Sequence, residues 1–232
     1  MSESEEDRPV DEAMLLRWSE SLAAVARTGL GFTESLYERE RFEEVLNIAA
    51  DIRAAIDQGI DVDTRVTEWL KGVGKGVPGY VTPKTTVGAI VGNDAGEILL
   101  VQRADSGVWL YPTGWADVGY SPAEVAVKEV HEETGIECEI VRMVAVLDGM
   151  RMGFTKIPLY SMVFHCRAVG GSLRAHPLET SDVGFFAENE LPANTAGVAG
   201  WGAMAFAAIR GEQLDVIYDQ PRTPPWRGAG LA

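Results

Sequence analysis

The sequence predicts an α/β protein in which a mixed sheet lies between helices and follows a small N-terminal helical domain. Three observations lead to this fold class. Apolar residues recur at helical spacing before residue 60, and they recur with a period of two after residue 80. One well-capped helix separates the strand-like segments, an arrangement typical of a mixed sheet covered by helices.

The N-terminal region is predicted to form two amphipathic helices that pack as a hairpin. Apolar residues recur at three- and four-residue spacing over 15–26 and over 37–56, and the first helix is expected to end at Gly29. A shorter helix is expected over 63–70. The glycines and proline of 71–79 indicate a linker, because the segment lacks the Gly-Lys-Ser/Thr ending of a phosphate-binding loop.

The region after residue 80 is predicted to form the sheet, because its short runs are rich in β-branched residues and bounded by turn residues. The predicted strands cover 85–91, 98–101, 138–147, 158–167 and 183–186, and a last helix covers 199–209. We therefore expect an acidic flexible tail at 1–10, a helical domain with its linker at 11–78, a second domain at 79–220 and a flexible tail at 221–232.

Charge and composition exclude several classes of function. The formal net charge of -15 argues against a broad nucleic-acid-binding surface, which needs clustered lysine and arginine, so we expect no DNA partner. The acidic N-terminus is unlike a secretory signal, and no apolar run approaches the roughly 20 residues that cross a bilayer. The two cysteines, Cys138 and Cys166, lack the spacing of a zinc site, so a reducing cytoplasm is the expected compartment.

The segment 114–136 carries the strongest functional signal in the chain. Ser121 is a predicted N-cap, the proline after it suits the first helical position, and Glu124 can close a capping box. At the other end Gly135 tolerates the left-handed backbone of a helix C-cap. These signals predict a helix over 122–134.

Three glutamates of this helix, Glu129, Glu132 and Glu133, are predicted to fall on one face. Like charges one turn apart repel by about a few tenths of a kcal/mol per pair, and more when partly desolvated. Mg²⁺, with Mn²⁺ as a substitute, would relieve this repulsion by binding carboxylates, waters and substrate phosphates. The alternative is a solvated acidic stripe without a ligand.

The face of this helix that packs on the core is expected to comprise Ala123, Val127, Val130 and Thr134.

The surrounding pattern resembles the Nudix hydrolase box, in which a glycine and a glutamate precede the run Arg-Glu-apolar-any-Glu-Glu-any-Gly-apolar. The residues that take these places in register are Gly114, Lys128, Glu129, Val130, Glu132, Glu133, Gly135 and Ile136. Two positions depart from the pattern, since Tyr120 replaces the usual glutamate and Lys128 replaces the usual arginine. In typical members these two residues form a buttress behind the metal-binding helix, so we expect a hydrogen bond or cation–π contact between them.

The resemblance implies a Nudix α/β/α sandwich and a metal-dependent hydrolase of phosphoric anhydrides. It implies that Glu129, Glu132 and Glu133 are catalytic residues that bind the metal. The family also uses the backbone carbonyl before the box glycine as a ligand, and Thr113 supplies that carbonyl here. The residues to which we give structural roles are Gly114, Lys128 and Gly135.

The general base is harder to locate, because Nudix families draw it from different loops. Our candidate is Glu179, in a predicted loop that enters the last strand, and a related loop carries the base or a further metal ligand in several members. The alternative is that Glu179 is an exposed loop residue without a role in catalysis. Asp182 and Glu188 are weaker candidates for the base.

Basic and aromatic residues are candidates for substrate binding. Arg103 and Arg151 could contact phosphates, and Trp115 or Tyr120 could stack on a nucleobase. Isolated basic residues are usually solvated and aromatic residues beside apolar ones usually belong to a core, which is the alternative for each of the four.

The N-terminal helices extend the resemblance over nearly the whole chain except its tails. Together with the connector that ends at 80–84 and the segment 115–122, they look like the Nudix subfamily that hydrolyses X-linked nucleoside diphosphates, including CDP-choline and ADP-ribose pyrophosphatases. The resemblance implies a homodimer built in part by these helices, whereas a helical cap on a single subunit is the alternative. Two other functions stay open: a nucleoside triphosphate diphosphatase that removes oxidised nucleotides, and a sensor that binds a nucleotide without cleaving it.

Overall fold

The computed structural model describes residues 10–57, 59, 61–73, 81–117 and 119–221. The predicted acidic tail, the end of the linker and the C-terminal tail lie almost wholly outside these residues. The chain divides into two compact units. The first extends to Lys84 and includes Gly149–Leu159, and the second contains Thr85–Asp148 and the chain from Tyr160 onward. The predicted domain boundaries stay a prediction, and no local pattern indicates that Gly149–Leu159 belongs to the first unit.

Three helices form most of the first unit, as the periodicity predicts. They are α1 (Glu12–Phe32), α2 (Leu36–Ile56) and α3 (Val62–Leu70). Each begins with a side-chain cap, because the capping oxygen accepts a hydrogen bond from a backbone N–H of the first turn. The buried apolar residues between the helices are Ala23, Ala26, Leu30, Leu46, Ala49, Ala50 and Trp69.

The expected end of α1 at Gly29 is wrong, since the helix continues to Phe32. A Cβ atom at position 29 would overlap the ring of Phe42 in α2. Gly29 is therefore required for the close approach of the two helices and not for a C-cap. The helix ends where the Thr33 N–H donates to the Gly29 carbonyl at 2.9 Å.

A buried ion pair attaches Gly149–Leu159 to the helices of the first unit. Arg53 Nη1 lies 2.8 Å from Glu20 Oε1, and both side chains are almost completely buried. The same Nη1 donates to the Lys156 carbonyl at 2.8 Å, and Lys156 Nζ lies 3.2 Å from Asp57 Oδ2. Removing one partner would leave an uncompensated buried charge, so these contacts stabilise the segment only as a set.

The second unit contains a mixed sheet and two helices. The strands are β1 (Lys84–Gly92), β2 (Ile98–Arg103), β3 (Trp109–Leu110), β4 (Thr113–Trp115), β5 (Ile136–Asp148), β6 (Leu159–Gly171), β7 (Thr180–Phe186) and β8 (Ile217–Tyr218), and the helices are α4 (Pro122–Thr134) and α5 (Val198–Ile209). The strand order is β3-β2-β1-β6-β5-β8, with β4 paired to β1 and β7 paired to β2. β5 and β8 are parallel, whereas β2 and β7 are antiparallel. The sequence does not predict β3, β4 and β8, because strands of two or three residues show no periodicity.

Apolar side chains alternate between the two faces of the sheet. Val87 and Val91 of β1 pack in the same cluster as Val125 of α4. Ile90, between them in sequence, packs in the opposite cluster with Phe206 of α5. This period of two places one helix on each face and confirms the predicted sheet between helices.

The buried face of α4 differs from the predicted one. Its buried residues are Val125, Ala126, Val130, Glu133 and Thr134. Ala123 and Val127 are only partly buried, although both contact the core. The buried face is rotated towards the glutamates because α4 packs on both β4 and β5, which hydrophobic spacing within the helix does not reveal.

Cys138 and Cys166 are both buried and free of disulfides. In the part of the chain that the structure describes, no helix combines the length and apolar character needed to cross a bilayer.

Candidate active site

Local interactions fix both ends of α4. Glu124 N–H donates to Ser121 Oγ at 3.3 Å, and Ser121 N–H donates to the Glu124 carboxylate at 2.7 Å. Gly135 follows the helix with a φ of 71°, in the left-handed region that favours glycine. The capping box and the C-cap are confirmed, and the helix spans Pro122–Thr134 as predicted. These ends determine where the glutamates lie along the helix.

Glu133 is the buried carboxylate of the site, with only 7% of its surface exposed. Its Oε2 accepts a hydrogen bond from the Thr113 N–H at 3.2 Å. Burial, reinforced by the neighbouring charge of Glu129, raises the pKa of Glu133 to about 8. Thr113 is itself held in place, since its Oγ1 donates to the Val87 carbonyl at 2.9 Å.

Glu129 lies against the same short strand. A Cβ atom at Gly114 would overlap the Glu129 carboxylate, so this close approach requires glycine. Burial raises the pKa of Glu129, while the Lys128 charge acts in the opposite direction. Two partly desolvated carboxylates, Glu129 and Glu133, therefore meet β4 side by side.

Lys128 has a different partner from the expected one. Its Nζ lies 2.9 Å from Asp117 Oδ2 and 3.1 Å from Glu132 Oε2. The predicted contact with Tyr120 is wrong: the Tyr120 side chain is 55% exposed, and its backbone N–H donates to the Asp117 carbonyl at 3.4 Å. Asp117 was missed because it precedes Lys128 by 11 residues, a spacing that no helix or turn rule connects. The hydrogen bond from Lys128 to Asp117 raises the pKa of that lysine.

Glu179 lies within electrostatic reach of both Glu129 and Glu133. After the larger effect of burial, its charge further raises the pKa of Glu129 and of Glu133. Its carboxylate is 3.7 Å from His176 Nδ1, and its backbone carbonyl accepts the Ala104 N–H at 2.9 Å. Asp182 and Glu188 have other contacts. The Asp182 carboxylate accepts the Val183 N–H, and the Glu188 carboxylate pairs with Arg210. Unlike Glu179, neither is among the charges that raise the pKa of Glu129 and Glu133.

The donor atoms at β4 fit a hard divalent cation in part. Within the described ranges, no three His, Cys, Asp or Glu side chains are grouped closely enough to hold a metal ion. Glu132 is half-exposed and turned towards Lys128. Glu133 is a buried oxygen donor and Glu129 a partly buried one, and neither forms a salt bridge with another described residue. Carboxylate oxygens suit Mg²⁺ or Mn²⁺. The full set of three glutamates and the Thr113 carbonyl stays a prediction.

The candidate substrate-binding residues lie in different places. Arg103 ends β2, where its guanidinium pairs with Asp105, and its charge lowers the pKa of Glu133 against the larger effect of burial. Trp115, on β4, is 50% exposed, and Tyr120 is exposed as well. Arg151 belongs to Gly149–Leu159 in the first unit. The substrate contacts of all four residues stay predictions.

Burial of Glu133 predicts that the metal-free protein loses stability as the pH rises. The pKa of Glu133 is about 8 in the folded protein against an ordinary value of 4.5, so the folded state binds more protons between these two values. The free energy of unfolding should fall by on the order of 2–4 kcal/mol through this window and level off above it. Urea denaturation in EDTA at several pH values should show this slope, and Glu133→Gln should lack this part of it. If the free energy of unfolding changed equally with pH in the wild type and in Glu133→Gln, the raised pKa of Glu133 would be contradicted.

Two family models match this chain. Residues 82–203, just over half of the chain, match the model described as NUDIX domain. Residues 13–62 match the model described as a UDP-X-like, N-terminal oligomerisation domain. The first match includes β4, α4 and β7, and the second covers nearly all of α1 and α2.

Three similar proteins match this chain over most of their own length. The Bacillus subtilis (strain 168) protein YjhB, provisionally named an ADP-ribose pyrophosphatase, is 33% identical over 179 residues, which are 76% of this chain and 82% of the relative. A crystal structure of a UDP-X diphosphatase is similar with a TM-score of 0.54 and 27% identity, over 90% of this chain and 100% of that chain. An ADP-ribose pyrophosphatase structure from Streptococcus suis 89-1591 has a TM-score of 0.52 and 34% identity, over 60% of this chain and 100% of that chain.

Proposed function

Because this chain belongs to the Nudix hydrolase family, we propose that it is an Mg²⁺-dependent pyrophosphatase acting on a nucleoside diphosphate joined to a second group. Its products would be a nucleoside monophosphate and the phosphorylated second group. The observation that carries this proposal is a pair of carboxylates held at the backbone of β4, the buried Glu133 and the partly buried Glu129. The names of the relatives, which refer to ADP-ribose and to UDP-X, support this substrate class.

The chemistry assigns separate tasks to the residues of the site. A bound divalent cation would neutralise the phosphate oxygens and lower the pKa of an attacking water. Glu129 and Glu133 would hold it, joined by the Thr113 carbonyl and by Glu132 once that side chain leaves Lys128. The Lys128 ammonium then keeps Asp117 as its partner.

The remaining residues handle the proton and the phosphates. Glu179 would accept a proton from the attacking water, so that the oxygen forms a bond to phosphorus as the bridging P–O bond breaks. The Arg103 guanidinium would exchange Asp105 for a phosphate oxygen and stabilise the developing charge. Glu179 and Arg103 both act electrostatically on Glu133, in opposite directions, which supports placing them at the same site.

A substrate screen tests the proposal. The purified protein, with Mg²⁺ or Mn²⁺, is incubated with CDP-choline, ADP-ribose, a UDP-sugar, dinucleoside polyphosphates and nucleoside triphosphates, and products are separated by chromatography. We expect one of the first three to yield a nucleoside monophosphate and a phosphorylated partner. Release of pyrophosphate from a triphosphate would instead indicate a nucleotide-cleansing enzyme. Calorimetric binding without any product would indicate a sensor.

We also propose that the protein is a homodimer whose contact includes α1 and α2. The matched oligomerisation domain covers these helices, and several of their large apolar side chains are exposed. They are Val25, Phe32, Leu36, Tyr37 and Ile48, between 48% and 82% exposed. Burying such a surface against a second copy would remove it from water.

Leu36→Asp should weaken this dimer. Leu36 is 82% exposed and begins α2, where an acidic residue suits the helix N-terminus, so the fold should not suffer. We expect the dissociation constant to rise at least about tenfold, measured by light scattering after size-exclusion chromatography over a range of concentrations. Leu178→Asp, which changes an equally exposed leucine in the second unit, is the control and should leave the mass unchanged. A wild-type mass of one chain at every concentration would refute the dimer.

A further inference from the structure

The segment that carries Glu179 is attached to the C-terminal turn of α4. Arg174 N–H donates to the Thr134 carbonyl at 2.8 Å, and His176 N–H lies 3.3 Å from the Glu133 carbonyl. The last carbonyls of a helix have no partner within the helix, so this segment satisfies two of them. The backbone that carries Glu133 is thereby linked to the backbone that carries Glu179.

Thr180 is the buried side chain at the centre of this attachment. It is the first residue of β7 and is only 5% exposed. Its Oγ1 accepts the His176 N–H at 2.6 Å and lies 3.3 Å from both the Glu133 and His176 carbonyls. A hydroxyl carries one proton, so Thr180 can donate to one of these carbonyls at a time. Its own N–H donates to the His176 carbonyl at 3.1 Å and closes the turn.

Apart from these hydrogen bonds and its pairing with β2, little holds this turn in place. Residues 177–179 are exposed, and Leu178 is 82% exposed, so the turn buries almost no apolar surface of its own. The backbone of Glu179 is held from one side by β2, since its carbonyl accepts the Ala104 N–H at 2.9 Å. On the other side the buried hydroxyl of Thr180 joins the turn to α4.

We propose that Thr180 is a positioning residue that holds the turn at 176–180, and with it the Glu179 carboxylate, in register with Glu133. This inference rests on the proposed function in one respect, the role of Glu179 as general base. Valine matches threonine closely in shape but lacks the hydroxyl. Thr180→Val therefore keeps a buried side chain of similar size and removes the hydroxyl's hydrogen bonds to the turn and to α4. A displacement of a catalytic group by about 1 Å can lower the rate by on the order of 100-fold.

Steady-state kinetics with Mg²⁺ and the substrate identified in the screen give the first test. Thr180→Val should lower kcat by about 10- to 100-fold and change KM by less than about twofold. Thr180→Ser, which keeps the hydroxyl, should restore kcat to within about threefold of wild type. Thr195→Val is the matched control, because the Thr195 hydroxyl also donates to a backbone carbonyl, that of Pro192 at 2.7 Å, and it should leave kcat unchanged. Loss of activity in Thr180→Ser equal to that in Thr180→Val would overturn the proposal.

A double variant and hydrogen exchange separate this inference from the proposed function. In a Glu179→Gln background, Thr180→Val should lower kcat no further, whereas additive losses would overturn a role through Glu179. In Thr180→Val without metal, the His176 amide should exchange about tenfold faster while amides in the middle of α4 keep their protection. If Glu179→Gln retains full activity but this exchange accelerates, Thr180 still positions the turn and the base assignment alone fails. Unchanged exchange at His176 would overturn the positioning role whatever the kinetics show.

Discussion

Glu133→Gln should abolish turnover, with kcat lower by at least about 1,000-fold while the fold stays intact. Glutamine has nearly the same shape, and its side-chain oxygen can still accept the Thr113 N–H that now meets Oε2 at 3.2 Å. What it loses is the negative charge. Since a cation beside a pyrophosphate needs anionic ligands from the protein, the neutral side chain removes catalysis without removing the packing.

The measurement combines kinetics with a test of folding. kcat is measured with Mg²⁺ on the substrate found in the screen, and circular dichroism and urea denaturation report the fold. Glu137→Gln is the matched control, because Glu137 is exposed on β5, only four residues from Glu133, and should keep wild-type turnover. Near-normal kcat in Glu133→Gln with Mg²⁺ would refute the role of this carboxylate.

Gly114→Ala should lower kcat by about 100-fold or more with little change in stability. The added Cβ would overlap the Glu129 carboxylate, and that carboxylate is the end of a flexible side chain, so it moves and the backbone does not. Gly114 has no positive φ, so alanine introduces no backbone strain there. The free energy of unfolding should therefore change by less than about 1 kcal/mol.

Displacement of Glu129 should also weaken metal binding in Gly114→Ala. Titration of Mn²⁺ followed by calorimetry measures this effect without substrate. Gly184→Ala is the control, because it adds a Cβ to a glycine of β7 whose nearest neighbour is the Phe186 ring at 3.1 Å, and it should keep both kcat and metal affinity. Wild-type activity in Gly114→Ala would show that Glu129 need not lie against β4.

Helix α4 could be predicted from the sequence because local interactions determine both of its ends. Ser121 and Glu124 form a capping box, and Gly135 ends the helix, all within the segment that they define. These capping signals involve only residues about one helical turn apart, so they can be recognised without knowledge of the fold. The same holds for the longer strands, whose period of two reflects the two covered faces of the sheet.

The sequence by itself determined the position of α4, the order of its glutamates and the helix–sheet–helix layering, because these follow from caps and hydrophobic periods. Only the tertiary structure decided that Glu133 is buried while Glu132 is half-exposed, that Lys128 pairs with Asp117, and that Thr180 joins a distant turn to α4. Those outcomes depend on which segments pack together across long stretches of chain. Burial and hydrogen bonding between such segments leave no repeating spacing in the sequence.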